Sequence, residues 1–229
     1  MWKITSMLAV TCLLLPGRAD AIRGRFGLEV GANYASLDHR SGTGPYSAHW
    51  QWHPCGDVAF DIALPRRFRF VPSLRYQEQG EKVGIADTYF TVRQEIRERW
   101  IAASLIMKYE TPLGLYALLG PDVGYLLSGN LSGTYSSAQY PHIAYETKYA
   151  DRGRRGDILM SVGIGWEAPL SGHVVGLESR YLEGLIQRDS PIGYLAPNEQ
   201  PPAWFAQNYP FPMASSRTRR IEAGVRFLW

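Results

Sequence analysis

The chain has 229 residues, of which 45% are apolar, 13% aromatic and 20% charged, with a formal net charge of +3. That length and apolar content suffice for one folded domain, and they exclude a disordered chain, a collagen or, with only 2 Cys, a disulfide scaffold. The near balance of acids and bases argues against a nucleic-acid-binding surface or an acidic tail.

The first element is a targeting segment. Lys3 precedes an apolar run over residues 7–15, Pro16 and Gly17 follow, and Ala19-Asp20-Ala21 supplies the small-x-small pattern at which an exported chain is cut. The run is too short to cross a ~30 Å hydrocarbon core as a helix. Residues 1–21 are therefore expected to be a signal peptide and residues 22–229 the mature domain. Cys12 would leave with the signal, and its neighbours Thr11 and Leu13 make a poor lipidation site. Cys55 would then stand alone, so neither an internal disulfide nor a Cys-rich metal site is expected. Beyond the signal no 18 consecutive residues are apolar, which excludes a spanning helix but not a spanning barrel, whose strands alternate between lipid and lumen.

A period of two begins at Phe26, Leu28, Val30, Ala32 and Tyr34, set against Gly27, Glu29, Gly31 and Asn33. It returns in Val58, Phe60, Ile62 and Leu64, and then in Phe68, Phe70, Pro72, Leu74 and Tyr76. A less clean partition sets Ile101, Ala103, Leu105, Met107 and Tyr109 against Ala102, Ser104, Ile106 and Lys108. Residues 115–127, 158–166 and 175–181 follow, and the last segment, Arg220-Ile221-Glu222-Ala223-Gly224-Val225-Arg226-Phe227, alternates without a break. The expected fold is all-β, with eight strands.

Connections alternate in length. Residues 65–67, 110–114 and 169–172 are tight turns carrying Pro and, in two of them, Gly, whereas long polar stretches occupy about residues 38–54, 80–97, 128–156 and 187–215. Short turns on one rim, long loops on the other and an even strand count are the plan of an up-and-down antiparallel transmembrane β-barrel of a Gram-negative outer membrane. Roughly 10 residues at ~3.3 Å rise and ~40° tilt cover about 25 Å, the height of the lipid-facing band. Phe68, Tyr109, Trp166 and Trp229 fall near the periplasmic limit of that band and Tyr34, Tyr76, Tyr125 and Tyr181 near the outer one, where amphipathic rings belong.

Three segments then carry a resemblance. Phe26-Gly27-Leu28-Glu29-Val30-Gly31-Ala32-Asn33, Phe70-Val71-Pro72-Ser73-Leu74-Arg75-Tyr76 and Leu119-Gly120-Pro121-Asp122-Val123-Gly124-Tyr125 occur in that order. They resemble the outer-membrane barrel family that includes PorT, over about residues 26–229. The resemblance implies an eight-stranded outer-membrane barrel; a secretion role known for one member is not carried over. These motifs are structural rather than catalytic.

The inward parity gathers Glu29, Asp57, Asp61, Asp122, Glu167, Glu178 and Glu222 with Arg69, Arg75, Lys108, Arg180, Arg220 and Arg226. An eight-stranded barrel is just wide enough to be filled by side chains, so these groups are expected to pair as a plug rather than line a conduit. The centre of this lumen network is Glu29, Asp61, Arg75, Lys108, Asp122, Glu178, Arg180, Glu222 and Arg226. Small residues at Gly27, Gly31, Gly120, Gly124, Gly163, Gly165, Gly176 and Gly224 would make room for the long side chains.

No catalytic site, cofactor or metal is expected. His39, His49, His53, His142 and His173 have no Ser at a diagnostic spacing, and in an extended chain His49 and His53 would stand ~13 Å apart, too far to share an ion. The working surface is placed in the outer loops. Lys148, Arg152, Arg154 and Arg155 suit the phosphates of lipopolysaccharide, and the last long loop offers aromatics such as Trp204, Phe205 and Tyr209 among six Pro. Expected partners are therefore outer-membrane lipid and lipopolysaccharide, a protein at the extracellular loops and the barrel-insertion machinery at the carboxyl-terminal strand, with no nucleic acid. The functional expectation is a structural or interaction role; the rivals are a lipid-modifying enzyme and a small-solute porin.

Overall fold

The computed structural model describes residues 24–39, 46–86, 90–138, 143–148, 155–186, 188–189 and 215–229. The proposed signal peptide and most of the last long loop lie outside the described residues. The extended segments are β1 (Gly24–His39), β2 (Tyr46–Ala63), β3 (Phe68–Ala86), β4 (Phe90–Glu110), β5 (Leu115–Ser137), β6 (Ile143–Lys148), β7 (Gly156–Leu170), β8 (His173–Gly184), β9 (Arg188–Asp189) and β10 (Ser215–Leu228).

Eight of them close a ring in the order β1-β2-β3-β4-β5-β7-β8-β10, with β10 returning to β1. Every pairing is antiparallel. Closure runs from Gly27↔Leu228 to His39↔Ser216, and Phe26 and Trp229 exchange backbone hydrogen bonds of 3.1 and 3.0 Å beneath it. A closed sheet has no unpaired edge, which is what permits strands to stand where no water can bond the backbone. β6 lies off the ring against the far half of β5, and β9 pairs only Ser215 and Ser216 of β10.

The short turns sit on one rim. Ser171 and Gly172 both take positive φ, 49° and 87°, the two-residue hairpin geometry whose twist matches its strands. Arg66 and Arg67 also lie at positive φ, in the turn closed by Leu64 N–H to the Phe68 carbonyl at 2.8 Å. Gly114, at φ 77°, ends the third turn, and a Cβ there would fall 2.2 Å from the Glu167 carbonyl oxygen.

On the opposite rim the strands run far beyond their expected ends. Residues 46–54, 80–86, 90–97 and 128–137, expected in loops, are strand, and the β3–β4 ladder continues unbroken from Phe68↔Tyr109 to Ala86↔Thr91. The alternation persists there with charged residues outward: Lys82, Arg93 and Arg97 are exposed, while Val83, Val92, Ile96 and Leu131 are buried, as are the polar Glu81, Gln94 and Glu98. The outward apolar residues of the belt end where these charges begin. Two irregularities accompany the extension. The β2–β3 register shifts between Trp50 and Cys55, and Leu127 is an extra residue between the pairs Trp100↔Leu126 and Arg99↔Ser128.

Candidate functional site

The barrel has two faces of opposite chemistry. On β5 the outward Leu115, Leu119, Val123 and Tyr125 are 47–56% exposed, whereas Tyr116, Leu118 and Asp122 between them are at most 4% exposed. The same holds round the ring, with Leu28, Val58, Leu74, Leu105, Val162, Leu177 and Phe227 all exposed. A continuous apolar belt of this extent is not a surface that water tolerates. Apolar outside, charged inside and closed, this is an outer-membrane-type transmembrane barrel.

Aromatic rings mark both limits of the belt. Phe26 stands edge-on to Trp229 at 5.5 Å and Phe68 tilts against Tyr109 at 5.2 Å on the short-turn side. On the other side Tyr34 contacts Trp50 at 5.0 Å and Trp52 at 4.9 Å. There, phenols meet the first charges beyond the belt. Tyr76 donates to Glu78 at 3.0 Å, Tyr181 to Glu183 at 3.4 Å, and Arg155 donates to the Tyr125 oxygen at 3.0 Å. An amphipathic ring with its polar tip held outward suits a headgroup boundary.

Within the barrel the inward charges form a connected set. Arg75 bonds Glu222 at 2.5 Å and Asp57 at 3.2 Å, and stands 3.9 Å from Asp122, which accepts from Ser104. Arg226 bonds Glu29 at 2.5 Å and lies 3.3 Å from Glu178; Arg180 bridges Glu29 at 3.1 Å and Asp57 at 3.6 Å and also donates to Glu178. Lys108 bonds Glu167 at 2.6 Å, and its ammonium sits 3.7 Å over the Tyr116 ring, whose hydroxyl donates to Glu178 at 2.7 Å. Arg220 continues the set from Glu222 at 3.5 Å to the side-chain Oε1 of Gln79 at 3.2 Å, and the Gln79 amide donates to Glu98 at 2.6 Å. The arginines, Lys108 and the acids they face are taken from water and offset by at least one opposite charge, the condition under which burial is tolerated, while Glu98 accepts from Gln79 and from the Trp100 indole N–H.

Of the residues expected in the lumen network, Asp61 lies apart. It bonds Arg69 at 2.6 Å, and Arg69 reaches Glu110 at 3.1 Å, a separate cluster at the short-turn rim because Asp61 is four residues below Asp57 on β2. The glycines divide as well. A Cβ on Gly224 would lie 2.7 Å from a Glu29 oxygen and one on Gly176 3.0 Å from Glu167 Cγ, so these two make room for charged side chains. At Gly31 and Gly120 the close neighbour is instead the backbone of the adjoining strand.

Of the expected basic loop cluster, Lys148 stands in β6 rather than in a loop, Arg155 precedes β7, and Arg152 and Arg154 lie outside the described residues. Lys148 and Arg99 contribute to a cleft of about 420 Å³ directly above the belt, lined also by Glu78, Arg97, Leu127 and His53. Burial pushes His53 below the ordinary imidazole value, against the raising effect of its hydrogen bond with the Gly80 backbone, so the ring adds no charge to this cleft at neutral pH. Arg97 and Arg99 went unnoticed in the sequence. Their signal was present: Arg93, Glu95, Arg97 and Arg99 occupy every second position between Val92 and Trp100.

No protein-family model matches the sequence, and no curated protein does. Solved structures do. Neisserial surface protein A aligns with 88% of this chain and 95% of its own at 15% identity and a TM-score of 0.42. Ail, the attachment invasion locus protein of Yersinia pestis, aligns with 91% of this chain and 100% of its own at 7% identity and a TM-score of 0.38. OprG of Pseudomonas aeruginosa aligns with 90% of this chain and 94% of its own at 8% identity and a TM-score of 0.32. The barrel topology itself stands on the strand pairing.

Proposed function

We propose that this protein is a non-enzymatic, integral barrel of a Gram-negative outer membrane whose lumen is closed by its ion-pair network and whose work is done on the strands that stand beyond the lipid. One observation carries the reading: on the same strands the outward residues are apolar while the inward face holds the paired charges, beside a small apolar cluster of Ala59, Val71, Ile106, Tyr116 and Leu118. A soluble barrel needs the opposite arrangement. Residues 1–21 provide for export, and β10, which carries Phe227 and is followed by Trp229, is the strand offered to the insertion machinery. Within outer-membrane barrels the chain is taken as a PorT-like member on its three strand motifs, whose role here is to build strands β1, β3 and β5.

A closed lumen is favoured over a pore because Arg75, Arg180 and Arg226, all near full burial, reach acids on other strands. The inward Ser161 donates to the Gly120 carbonyl, which is no base, and Ser104 donates to Asp122, a carboxylate that Arg75 faces at 3.9 Å and that serves the ion-pair network. Fractionation followed by electrophoresis with and without boiling tests the membrane barrel: the protein is expected in the outer-membrane fraction with heat-dependent migration, and a soluble chain migrating identically both ways would refute it. Planar-bilayer recording tests the closed lumen, with no stepwise conductance expected; regular ion-conducting steps would instead establish a pore.

A further inference from the structure

Directly opposed residues of an antiparallel sheet point to the same side, so the ladder β3–β4–β5–β6 arranges its outward side chains in rows. Just above the belt, Glu78, Arg99 and Ser128 share a row. The next holds Arg97, Asn130 and Lys148. Above it stand Lys82, Glu95, Ser132 and Glu146, joined by His49 from β2. Rows two residues apart are ~7 Å apart along the strand, so from Arg99 to Arg93 the wall rises ~20 Å.

The chemistry of this wall changes in a fixed order. Tyr76, Ile101 and Leu127 belong to the apolar belt, and Leu127 is also the lower lip of the 420 Å³ cleft. Three cations, Arg97, Arg99 and Lys148, line the cleft against two acids, Glu78 and the buried Glu98. Above lies a groove of about 860 Å³ walled by His49, Lys82, Arg93, Glu95, Ser132 and Glu146, a mixture of donors and acceptors.

The cations keep donors to spare. The Arg97 side chain is 71% exposed and held by Glu95 at 2.7 Å, and that of Arg99 is 63% exposed and gives its Nε to Glu78 at 3.1 Å. Such exposed pairs hold their partners weakly and leave guanidinium N–H groups for an incoming anion. Lys148 is exposed and has no ion-pair partner among the described residues. Arg155, set over Tyr125 one strand along, extends the positive rim.

We propose that this outward wall of β3–β6 binds a phosphorylated glycolipid of the outer leaflet. Its acyl chains lie on the belt below Leu127, a phosphate sits among Arg97, Arg99 and Lys148, and its sugars enter the groove between Lys82, Arg93, Glu95 and Glu146. The order apolar, cationic, hydrogen-bonding is what selects this class. A phospholipid would use only the two lower zones, and a soluble phosphate only the middle one. The site rests on the membrane reading above and deepens it, since it lies on strand walls rather than in loops.

The test uses the full-length protein purified in detergent, with retained lipid counted by native mass spectrometry. The probes are a bisphosphorylated glucosamine-disaccharide lipid, the same lipid without phosphates, and phosphatidylglycerol. The bisphosphorylated glycolipid is expected to be retained, with affinity about tenfold or more above that of either other lipid and reduced about as much by Arg97→Gln, Arg99→Gln and Lys148→Gln together. Lys82→Gln should weaken the glycolipid and leave phosphatidylglycerol unchanged. Arg219→Gln, on the opposite wall where Arg219 pairs Glu183 at 3.7 Å, should leave glycolipid binding unchanged. Equal binding of the triple variant, of the dephosphorylated lipid or of phosphatidylglycerol would overturn the site. Should the triple variant fail to fold, Lys148→Gln alone serves, with a several-fold loss expected and no loss overturning the proposal. A wild-type chain that shows heat-dependent migration but retains no glycolipid removes the site and leaves the membrane barrel standing; one that shows no such migration removes both.

Discussion

Within β4 the odd-numbered side chains face outward along the whole strand. In its lower half these are Ile101, Ala103, Leu105, Met107 and Tyr109, and in its upper half Arg93, Glu95, Arg97 and Arg99. The inward face is mixed in both halves, with Ala102, Ser104, Ile106 and Lys108 below and Val92, Gln94, Ile96, Glu98 and Trp100 above, each at most 3% exposed. No slip in the β3–β4 ladder separates the halves, so the change of outward chemistry belongs to the surroundings and not to the strand. Where acyl chains surround the wall its outward residues are apolar; where water does, they are charged. The boundary falls between Arg99 and Ile101.

That contrast can be broken from either side. The largest effect is expected inside the belt, where Arg226→Ala leaves Glu29 and Glu178 short of a cation; denaturant unfolding in lipid vesicles should show a loss of about 3–5 kcal/mol. Leu119→Arg puts a charge on the lipid face near mid-depth and should cost about 2–4 kcal/mol in the same assay. Above the belt, Ile96→Ala removes an apolar side chain from the inner face of the extension and should cost about 2 kcal/mol. Its signature is local: hydrogen exchange quickens over residues 80–98 while residues 101–109 stay protected. Smallest is Arg97→Gln, an outward substitution in water, expected to change stability by less than about 1 kcal/mol in the unfolding assay. A cost for Arg97→Gln as large as that for Leu119→Arg would erase the distinction between the two halves.

How far the sequence could be read follows from the same contrast. The belt was legible because its outward residues are apolar and its inward ones are charged, as in Ile221, Ala223, Val225 and Phe227 against Arg220, Glu222 and Arg226. Parity also placed the inward charges, though it could not say which would touch. Asp61 and Asp57 share a face, yet only Asp57 reaches Arg75 and Arg180. The extension escaped notice because its outward residues are charged: Arg93, Glu95, Arg97 and Arg99 read as a polar loop until their regular spacing is weighed against Val92, Ile96 and Trp100. The extra residue at Leu127, which flips the parity of β5 and sets Leu131 and Tyr135 inward, has no signal in composition or periodicity. Lys148 was marked for its charge, but its alignment with Arg97 across Asn130 depends on pairing that lies 51 residues apart in the chain.

The most direct test of the lipid-solvated belt is a cysteine scan along the outward positions of β4 in a chain carrying Cys12→Ser and Cys55→Ser, read by a membrane-impermeant thiol reagent on intact cells. Arg93→Cys, Glu95→Cys, Arg97→Cys and Arg99→Cys are expected to label readily, and Ala103→Cys, Leu105→Cys and Met107→Cys to remain unlabelled until detergent is added. Uniform labelling along the strand, or protection of the upper positions with exposure of the lower ones, would contradict a membrane boundary at residue 100.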